Sequence, residues 1–310
     1  ASGRMSLRLS VLMVGLRYGV RPLIAMTPSP AVARKSLETL TRVFTRPVRP
    51  AAIDEIKLAD RPARLIQPPK PLNGAALLYF HGGGYVTGSA ASHTPMVSRL
   101  VCLSGVSTYV PEYRLAPENP FPAAFEDARA AWEALRASGV EADRIILGGD
   151  SAGGGLALAL LADLVATGER PAGVFAFSPW TDLTLTGESL AENARRDALL
   201  PVQRIRELTE MVLQGSDPND TRISPLFADF TGAPPVYLQV SDSEILRDDS
   251  MRLAKRLLVQ GVDVEVDRWP DAPHVWQMMD GWVPEARDAL ERTAKFIRAR
   301  LTPPSPRSES

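Results

Sequence analysis

The sequence predicts an α/β fold, in which an eight-stranded, mostly parallel sheet carries helices on both faces and a helical cap. From Ala75 onward, short apolar runs alternate with segments whose apolar residues recur at helical spacing. This alternation is typical of βαβ units, whose strands are parallel and whose crossing helices cover both faces of a sheet. The alternation lapses at residues 184–222, which are polar. We therefore expect those residues to form a cap segment inserted over the carboxyl ends of the strands.

Helices and a pair of strands precede the alternating region. Apolar residues recur at helical spacing through residues 5–46, and Pro28 and Pro30 break the helical run. Two short strands then follow, joined by a turn at Asp60. These strands are expected at Ile53–Leu58 and Ala63–Gln67.

The alternating region supplies six further strands and the helices between them. The strands are expected at Ala75–Phe80, Ser107–Val110, Arg144–Gly149, Val174–Ser178, Val236–Val240 and Val262–Trp269. The helices are expected at Met96–Leu103, Ala123–Ala137, Ala152–Ala166, Val202–Leu213, Met251–Gln260 and Glu285–Leu301. The α/β core then comprises residues 49–183 and 223–302, after N-terminal cap helices in residues 1–48. The Pro/Ser-rich tail, residues 303–310, is expected to be disordered.

Composition and charge argue against several classes of protein. The formal net charge is −1 at pH 7, which gives no electrostatic footprint for nucleic acid. Cys102 is the only cysteine, so no internal disulfide can form and nothing requires an oxidising compartment. The apolar run Leu9–Leu16 is too short for a membrane span, and Arg17 and Arg21 interrupt it in a way that argues against a secretory signal. We expect a cytoplasmic protein.

The first motif with chemical content is Gly149-Asp150-Ser151-Ala152-Gly153, which fits the pattern G-x-S-x-G. It lies between a predicted strand and a predicted helix, where a sharp turn pushes the serine into a strained conformation. The helix then points unpaired N–H groups at the site. Ser151 is therefore the candidate nucleophile. The pattern alone also fits a glycine-rich turn that binds phosphate.

A second motif, His81-Gly82-Gly83-Gly84-Tyr85, directly follows the strand ending at Phe80. Three consecutive glycines are costly in backbone entropy, and they suit a loop whose N–H groups approach a ligand closely. In lipases and esterases, a loop of this kind contributes to the oxyanion hole. The alternative interpretation is a flexible turn.

The general base is predicted from chain order. The chain has three histidines, at positions 81, 93 and 274, and α/β hydrolases carry their triad in the order serine, acid, histidine. Only His274 follows Ser151, so His274 is the candidate base.

Three motifs together resemble the hormone-sensitive-lipase family of bacterial esterases. They are HGGGY, the YRLAPE sequence at Tyr113–Glu118, and GDSAGG at Gly149–Gly154, and the resemblance spans roughly residues 50–300. It implies the α/β-hydrolase fold with a two-part cap, and an oxyanion hole formed by the N–H groups of Gly83, Gly84 and Ala152. It also implies a serine carboxylesterase that acts on short- to medium-chain acyl esters through an acyl-enzyme, without metal or cofactor.

The triad acid departs from the family pattern. Many members carry D-P-L-R-D, whereas this chain has Asp242-Ser243-Glu244-Ile245-Leu246-Arg247-Asp248. Asp242 and Glu244 both lie just after a predicted strand, and either could reach His274 by position alone. Aligning Leu246-Arg247-Asp248 with the family's L-R-D places the acid at Glu244, and the fold accepts either carboxylate type.

Other functions and partners make different demands on this sequence. A peptidase or amidase could use the same triad, and comparing ester with amide substrates would separate the two. A non-catalytic receptor on this fold could dispense with the histidine, which this chain keeps. Scattered histidines and one cysteine give no metal-ligand spacing. The last strand would be a sheet edge that permits a homodimer, although Asp263, Glu265 and Asp267 place charge along it.

Overall fold

A computed structural model describes residues 5–301, so the predicted disordered tail lies outside the described residues. Eight strands form one sheet in the order β1-β2-β4-β3-β5-β6-β7-β8. The pairs β1–β2 and β2–β4 are antiparallel, and all other neighbours are parallel. The strand bounds are β1 Ala52–Leu58, β2 Arg61–Gln67, β3 Ala76–Phe80, β4 Ser107–Pro111, β5 Ile145–Asp150, β6 Gly173–Phe177, β7 Val236–Ser241 and β8 Val264–Trp269.

Helices cover both faces of this sheet. Their bounds are α1 Leu7–Gly15, α2 Arg21–Ala25, α3 Pro30–Phe44, α4 Ala90–Ser104, α5 Ala123–Ala137, α6 Ser151–Ala166, α7 Ser189–Glu192, α8 Val202–Leu213, α9 Arg247–Val259 and α10 Pro284–Leu301. Side chains of α5, α6 and α9 share one apolar core with Leu78 and Leu147. Side chains of α4 and α10 share a second core with Leu77 and Ile146. Successive strand residues therefore face opposite layers, as expected for a parallel sheet buried on both sides.

Two helices begin earlier than their apolar periodicity predicts. Helix α4 begins at Ala90, six residues before Met96, because Ser89 and Ser92 form a reciprocal capping box at its start. Helix α9 begins at Arg247. The two aspartates in its first turn stabilise this start, because their negative charge interacts favourably with the positive end of the helix dipole. Polar caps thus extend these helices beyond the residues that the apolar pattern marks.

The N-terminal helices and the segment between β6 and β7 contact each other. Arg204 of α8 donates hydrogen bonds to the carbonyls of Ile24 (2.9 Å), Ala25 (2.8 Å) and Thr27 (2.6 Å). Three carbonyls at one guanidinium satisfy acceptors that a short helix leaves open at its C-terminus. Within residues 5–301, no helix has the length and apolar character needed to cross a bilayer.

Candidate active site

Ser151 lies at the turn where β5 ends and α6 begins. Its φ of +52° is in the left-handed region, which is costly for a residue with a side chain. A Cβ at Gly153 would lie 2.1 Å from the carbonyl oxygen of Phe80, so only glycine permits helix and strand to approach this closely. The serine is partly exposed, whereas Asp150 and Ala152 beside it are buried. The turn therefore presents the Ser151 hydroxyl at the carboxyl edge of the sheet.

The glycine loop after β3 presents N–H groups at the same edge. Gly83 has a φ of +119°, a conformation that L side chains rarely adopt. Its carbonyl accepts the N–H groups of Val86 (3.1 Å) and Thr87 (2.8 Å), which closes a turn. In the described residues, the N–H groups of Gly83 and Gly84 donate to no acceptor. Ala152 is in the first turn of α6, where an N–H has no partner inside the helix.

Asp150 connects the serine turn to the glycine loop. Its Oδ1 accepts the Gly82 N–H at 3.0 Å and the Tyr79 hydroxyl at 2.7 Å, and its Oδ2 lies 3.3 Å from His93 Nε2. These side chains are all buried. A single carboxylate thus fixes the position of the loop relative to Ser151. Sequence reasoning assigned no role to this aspartate or to His93.

The pKa values of the two buried histidines near this carboxylate shift in opposite directions. Both ring nitrogens of His93 face acceptors, Asp150 at Nε2 and the Ser89 carbonyl at Nδ1. Burial lowers the pKa of His93, but the charge and hydrogen bond of Asp150 outweigh burial and raise it above its usual value. His81 stacks on Tyr113 with ring centroids 4.3 Å apart, and burial lowers its pKa to about 3. His81 is therefore neutral near pH 7 and carries no extra proton that it could donate.

Glu244 and His274 form a buried pair after β7 and β8. His274 Nδ1 lies 2.7 Å from Glu244 Oε2. Glu244 Oε1 accepts the Ser178 hydroxyl and the Ser241 N–H, each at 2.8 Å. Charge-assisted hydrogen bonds of this length are strong, and they fix the carboxylate on both sides.

Asp242, the alternative acid, has a different partner. Its Oδ1 accepts the Arg268 Nη2–H at 2.8 Å, and the Arg268 and Asp242 side chains are 51% and 32% exposed. The structure thus joins His274 to Glu244 and not to Asp242. The assignment of the triad acid to Glu244 stays a prediction.

The pKa of His274 is set by two opposing effects. Burial lowers it, but the hydrogen bond and charge of Glu244 outweigh burial and raise the pKa above its usual value. Within residues 5–301, no hydrogen bond joins the Ser151 hydroxyl to His274. Such serine–histidine bonds are often long without substrate. Because it raises the pKa of His274, the Glu244 carboxylate favours the imidazolium that forms when the histidine accepts a proton.

The segment between β6 and β7 supports the loop that carries Glu244. Asn193 Nδ2 donates to the carbonyls of Asp242 (2.9 Å) and Glu244 (2.7 Å), and Ser189 Oγ donates to Ile245 O at 2.7 Å. These long-range contacts carry no local sequence signal. Within residues 5–301, no group of three or more His, Cys, Asp or Glu side chains could hold a metal ion.

Comparisons with known proteins bear on the fold and on the class of enzyme. A family model described as the α/β hydrolase fold matches residues 77–278. A solved esterase of the bacterial hormone-sensitive lipase family is 36% identical, with a TM-score of 0.90, and the match covers 97% of this chain and 100% of that one. The chain belongs to the bacterial hormone-sensitive lipase family. The predictions of an α/β-hydrolase fold and of a carboxylic ester hydrolase in the hormone-sensitive lipase family are confirmed.

Two curated relatives are named as an acetyl-hydrolase and as an esterase. An acetyl-hydrolase of Streptomyces hygroscopicus is 39% identical over 246 residues, which are 79% of this chain and 82% of that protein. An esterase of Acinetobacter venetianus is 33% identical over 292 residues, which are 91% of this chain and 93% of that protein. The roles of individual residues in this chain stay predictions.

Proposed function

We propose that this carboxylic ester hydrolase cleaves short- to medium-chain acyl esters through an acyl-enzyme on Ser151. The observation that carries the proposal is the buried Glu244–His274 pair, 2.7 Å apart, at the sheet edge where the strained serine turn lies. A histidine oriented by a carboxylate near a solvent-accessible nucleophile is the arrangement that acyl transfer requires.

The chemistry follows from the charges at this edge. His274 takes the proton of the Ser151 hydroxyl as Oγ attacks the ester carbonyl. The N–H groups of Gly83, Gly84 and Ala152 stabilise the oxyanion, and each such donor lowers the barrier by about 3–4 kcal/mol. His274 then protonates the leaving alcohol, and the same histidine activates the water that hydrolyses the acyl-enzyme. Glu244 stabilises the imidazolium in both steps. No step requires a metal or cofactor.

We further propose that two cap segments, residues 1–48 and 184–222, roof the acyl pocket above the core of residues 49–183 and 223–302. Arg204 joins the two segments through three carbonyls. A Cβ at Gly84 would lie 2.7 Å from Leu208 Cδ1, so a side chain of α8 lies directly against the glycine loop. A pocket closed by this side chain has limited depth.

The acyl-length preference can be measured with p-nitrophenyl esters. We expect acetyl to octanoyl esters to be hydrolysed well, and the palmitoyl ester to have a kcat/KM lower by at least about tenfold, because a closed pocket excludes a long chain. Matched p-nitroanilides should be poor substrates. Leu208→Ala should shift the preference toward longer chains, while Leu258→Ala, at an exposed site on α9, should not.

Two results would contradict this proposal. One is a preference for the palmitoyl ester in the unaltered protein. The other is anilide hydrolysis as fast as ester hydrolysis, which would favour an amidase or peptidase on the same site.

We propose a homodimer in which β8 edges pair between two copies. β8 is the last strand of the sheet order, and its outer backbone groups can bond to another chain. Of the charges along it, Asp267 is paired with Arg292 at 3.1 Å, which reduces the repulsion between two such edges. Light scattering at micromolar concentration should give twice the chain mass. A monomer alone would contradict this proposal.

We also propose that the protein is cytoplasmic. Cys102 is the only cysteine, and an internal disulfide cannot form. A chain of this length buries enough surface to be stable without one. Fractionation of the source cells with an antibody against this chain would test the location.

A further inference from the structure

Helix α1 and the π-helical turn that follows it, Leu16–Val20, have two apolar faces, and only one of them is covered. Leu9, Met13 and Leu16 are buried, and they share a core with residues of α10 and with Trp276. Leu7, Val11, Val14 and Tyr18 are spaced at helical intervals on the opposite side, and they are 80%, 65%, 59% and 75% exposed. Single exposed apolar residues are ordinary, but a continuous stripe of four requires a partner.

The exposed apolar side chains of the protein concentrate in this region. Of sixteen exposed large hydrophobic residues in the part of the chain that the structure describes, eleven lie within residues 5–44. The stripe is therefore a feature of the N-terminal helices and not part of a general surface composition. Trp282, another of the sixteen, contacts Phe44 of α3 at a ring-centroid distance of 6.1 Å.

The same region is strongly basic. Residues 5–50 contain eight Lys or Arg and one Glu, a net charge of +7 in a chain whose total is −1. Arg8 of α1 is exposed beside the apolar stripe, and Arg17 follows in the π-helical turn Leu16–Val20, where it is half-buried and its Nη2 donates to the Arg196 carbonyl at 2.7 Å. In the described residues, the only ion pair made by a basic residue of residues 5–50 is Arg34–Glu118. Most of this positive charge is therefore not paired with an acidic side chain in the described residues.

We propose that the N-terminal face, defined as Leu7, Val11, Val14 and Tyr18 with Arg8 and Arg17, binds in the plane of an anionic phospholipid surface. An apolar stripe flanked by arginines inserts at the boundary between headgroups and acyl chains, and the cations attract anionic lipid. Charge selects this partner over a second copy of the chain, because two faces of the same positive charge repel each other.

The opposite side of α1 leads to the candidate active site. Leu9, Met13 and Leu16 share their core with Ala272 and Trp276, which flank His274 in the chain. A lipid surface on the outer side of α1 would therefore lie close to the rim of the site. Esters dissolved in that surface would reach the enzyme without crossing bulk water. The binding itself does not depend on hydrolysis, so Ser151→Ala should bind vesicles as the unaltered protein does.

Vesicle flotation of the full chain tests the proposal. We expect binding to phosphatidylcholine vesicles in which about a third of the lipid is phosphatidylserine, and much weaker binding to phosphatidylcholine alone. Val11→Ser with Val14→Ser should weaken binding by about tenfold or more, since less apolar area is inserted. Arg8→Gln should weaken it by about fivefold, and added salt should weaken it further.

Matched variants elsewhere on the surface provide the controls. Leu258→Ser with Val259→Ser removes two apolar side chains that are 63% and 81% exposed on α9, and Lys295→Gln removes an exposed cation on α10. Neither control should change vesicle binding, and thermal unfolding should show that every variant is folded.

Three results would overturn the proposal. The first is equal binding to anionic and neutral vesicles. The second is equal loss of binding in the α1 and α9 double variants. The third is self-association without vesicles that Val11→Ser with Val14→Ser abolishes, which would assign the N-terminal face to a second copy.

Discussion

Ser151→Ala should lower kcat for p-nitrophenyl butyrate by about 10⁶-fold, to the level that binding and oxyanion stabilisation alone support. Alanine keeps the Cβ and can adopt the same φ of +52°, so only the nucleophile is removed. His274→Ala should be nearly as severe, because the hydroxyl is a weak nucleophile without its base. The double variant should be no worse than either single variant, since the two side chains act as a unit.

Circular dichroism and thermal unfolding of the same samples provide the control for folding. His81 offers a comparison, since its pKa of about 3 keeps it neutral at the assay pH, and its replacement should cost less activity than His274→Ala. Turnover near the unaltered level in Ser151→Ala would refute the proposed mechanism. An inactive His81 variant beside an active His274→Ala would show that chain order misidentified the base.

Glu244→Gln should lower turnover by about 10⁴-fold, because the imidazole loses the carboxylate that orients it and stabilises its charged form. The pH profile gives a second measure. Activity requires neutral His274, so kcat/KM falls as the pH drops through the pKa that Glu244 raises. Without that carboxylate, burial is opposed only by the charges of Asp197 and Asp150, and the pKa of His274 falls. The acid limb of the profile should therefore move to lower pH.

Asp242→Asn is the matched control for this substitution. Asp242 pairs with Arg268 near the surface, where such ion pairs contribute little, so we expect a change in kcat of less than about threefold and an unchanged pH profile. The reverse pattern, with Asp242→Asn inactive and Glu244→Gln active, would transfer the role of the acid to Asp242.

The features that the sequence revealed are those with a local cause. Glycines mark positions where a backbone must turn or approach closely, and both motifs that contain them fall on the predicted strand ends. Alternating apolar segments similarly specify eight strands. They do not predict the start of α4, which lies six residues earlier because Ser89 and Ser92 cap the helix. Periodicity reports burial, and capping hydrogen bonds fall outside what it can detect.

Contacts between distant residues were not predictable from one sequence. Asp150 and His93 are 57 positions apart, and Ser178 and Glu244 are 66 apart, so no spacing rule joins them. The choice of Glu244 needed an alignment with a family pattern, since two carboxylates follow β7 at similar positions. Only the folded structure shows that Arg268 binds Asp242 and that His274 binds Glu244.

The three carbonyls held by Arg204 have a consequence for engineering this protein. Because α8 and the end of α2 share one guanidinium, these two helices cannot separate without breaking all three bonds. A substitution on one of these helices that disturbs the Arg204 bonds should therefore also change the mobility of the other helix. The effects of mutations in α2 and α8 should therefore not be additive. Libraries that vary the two helices separately will miss this coupling.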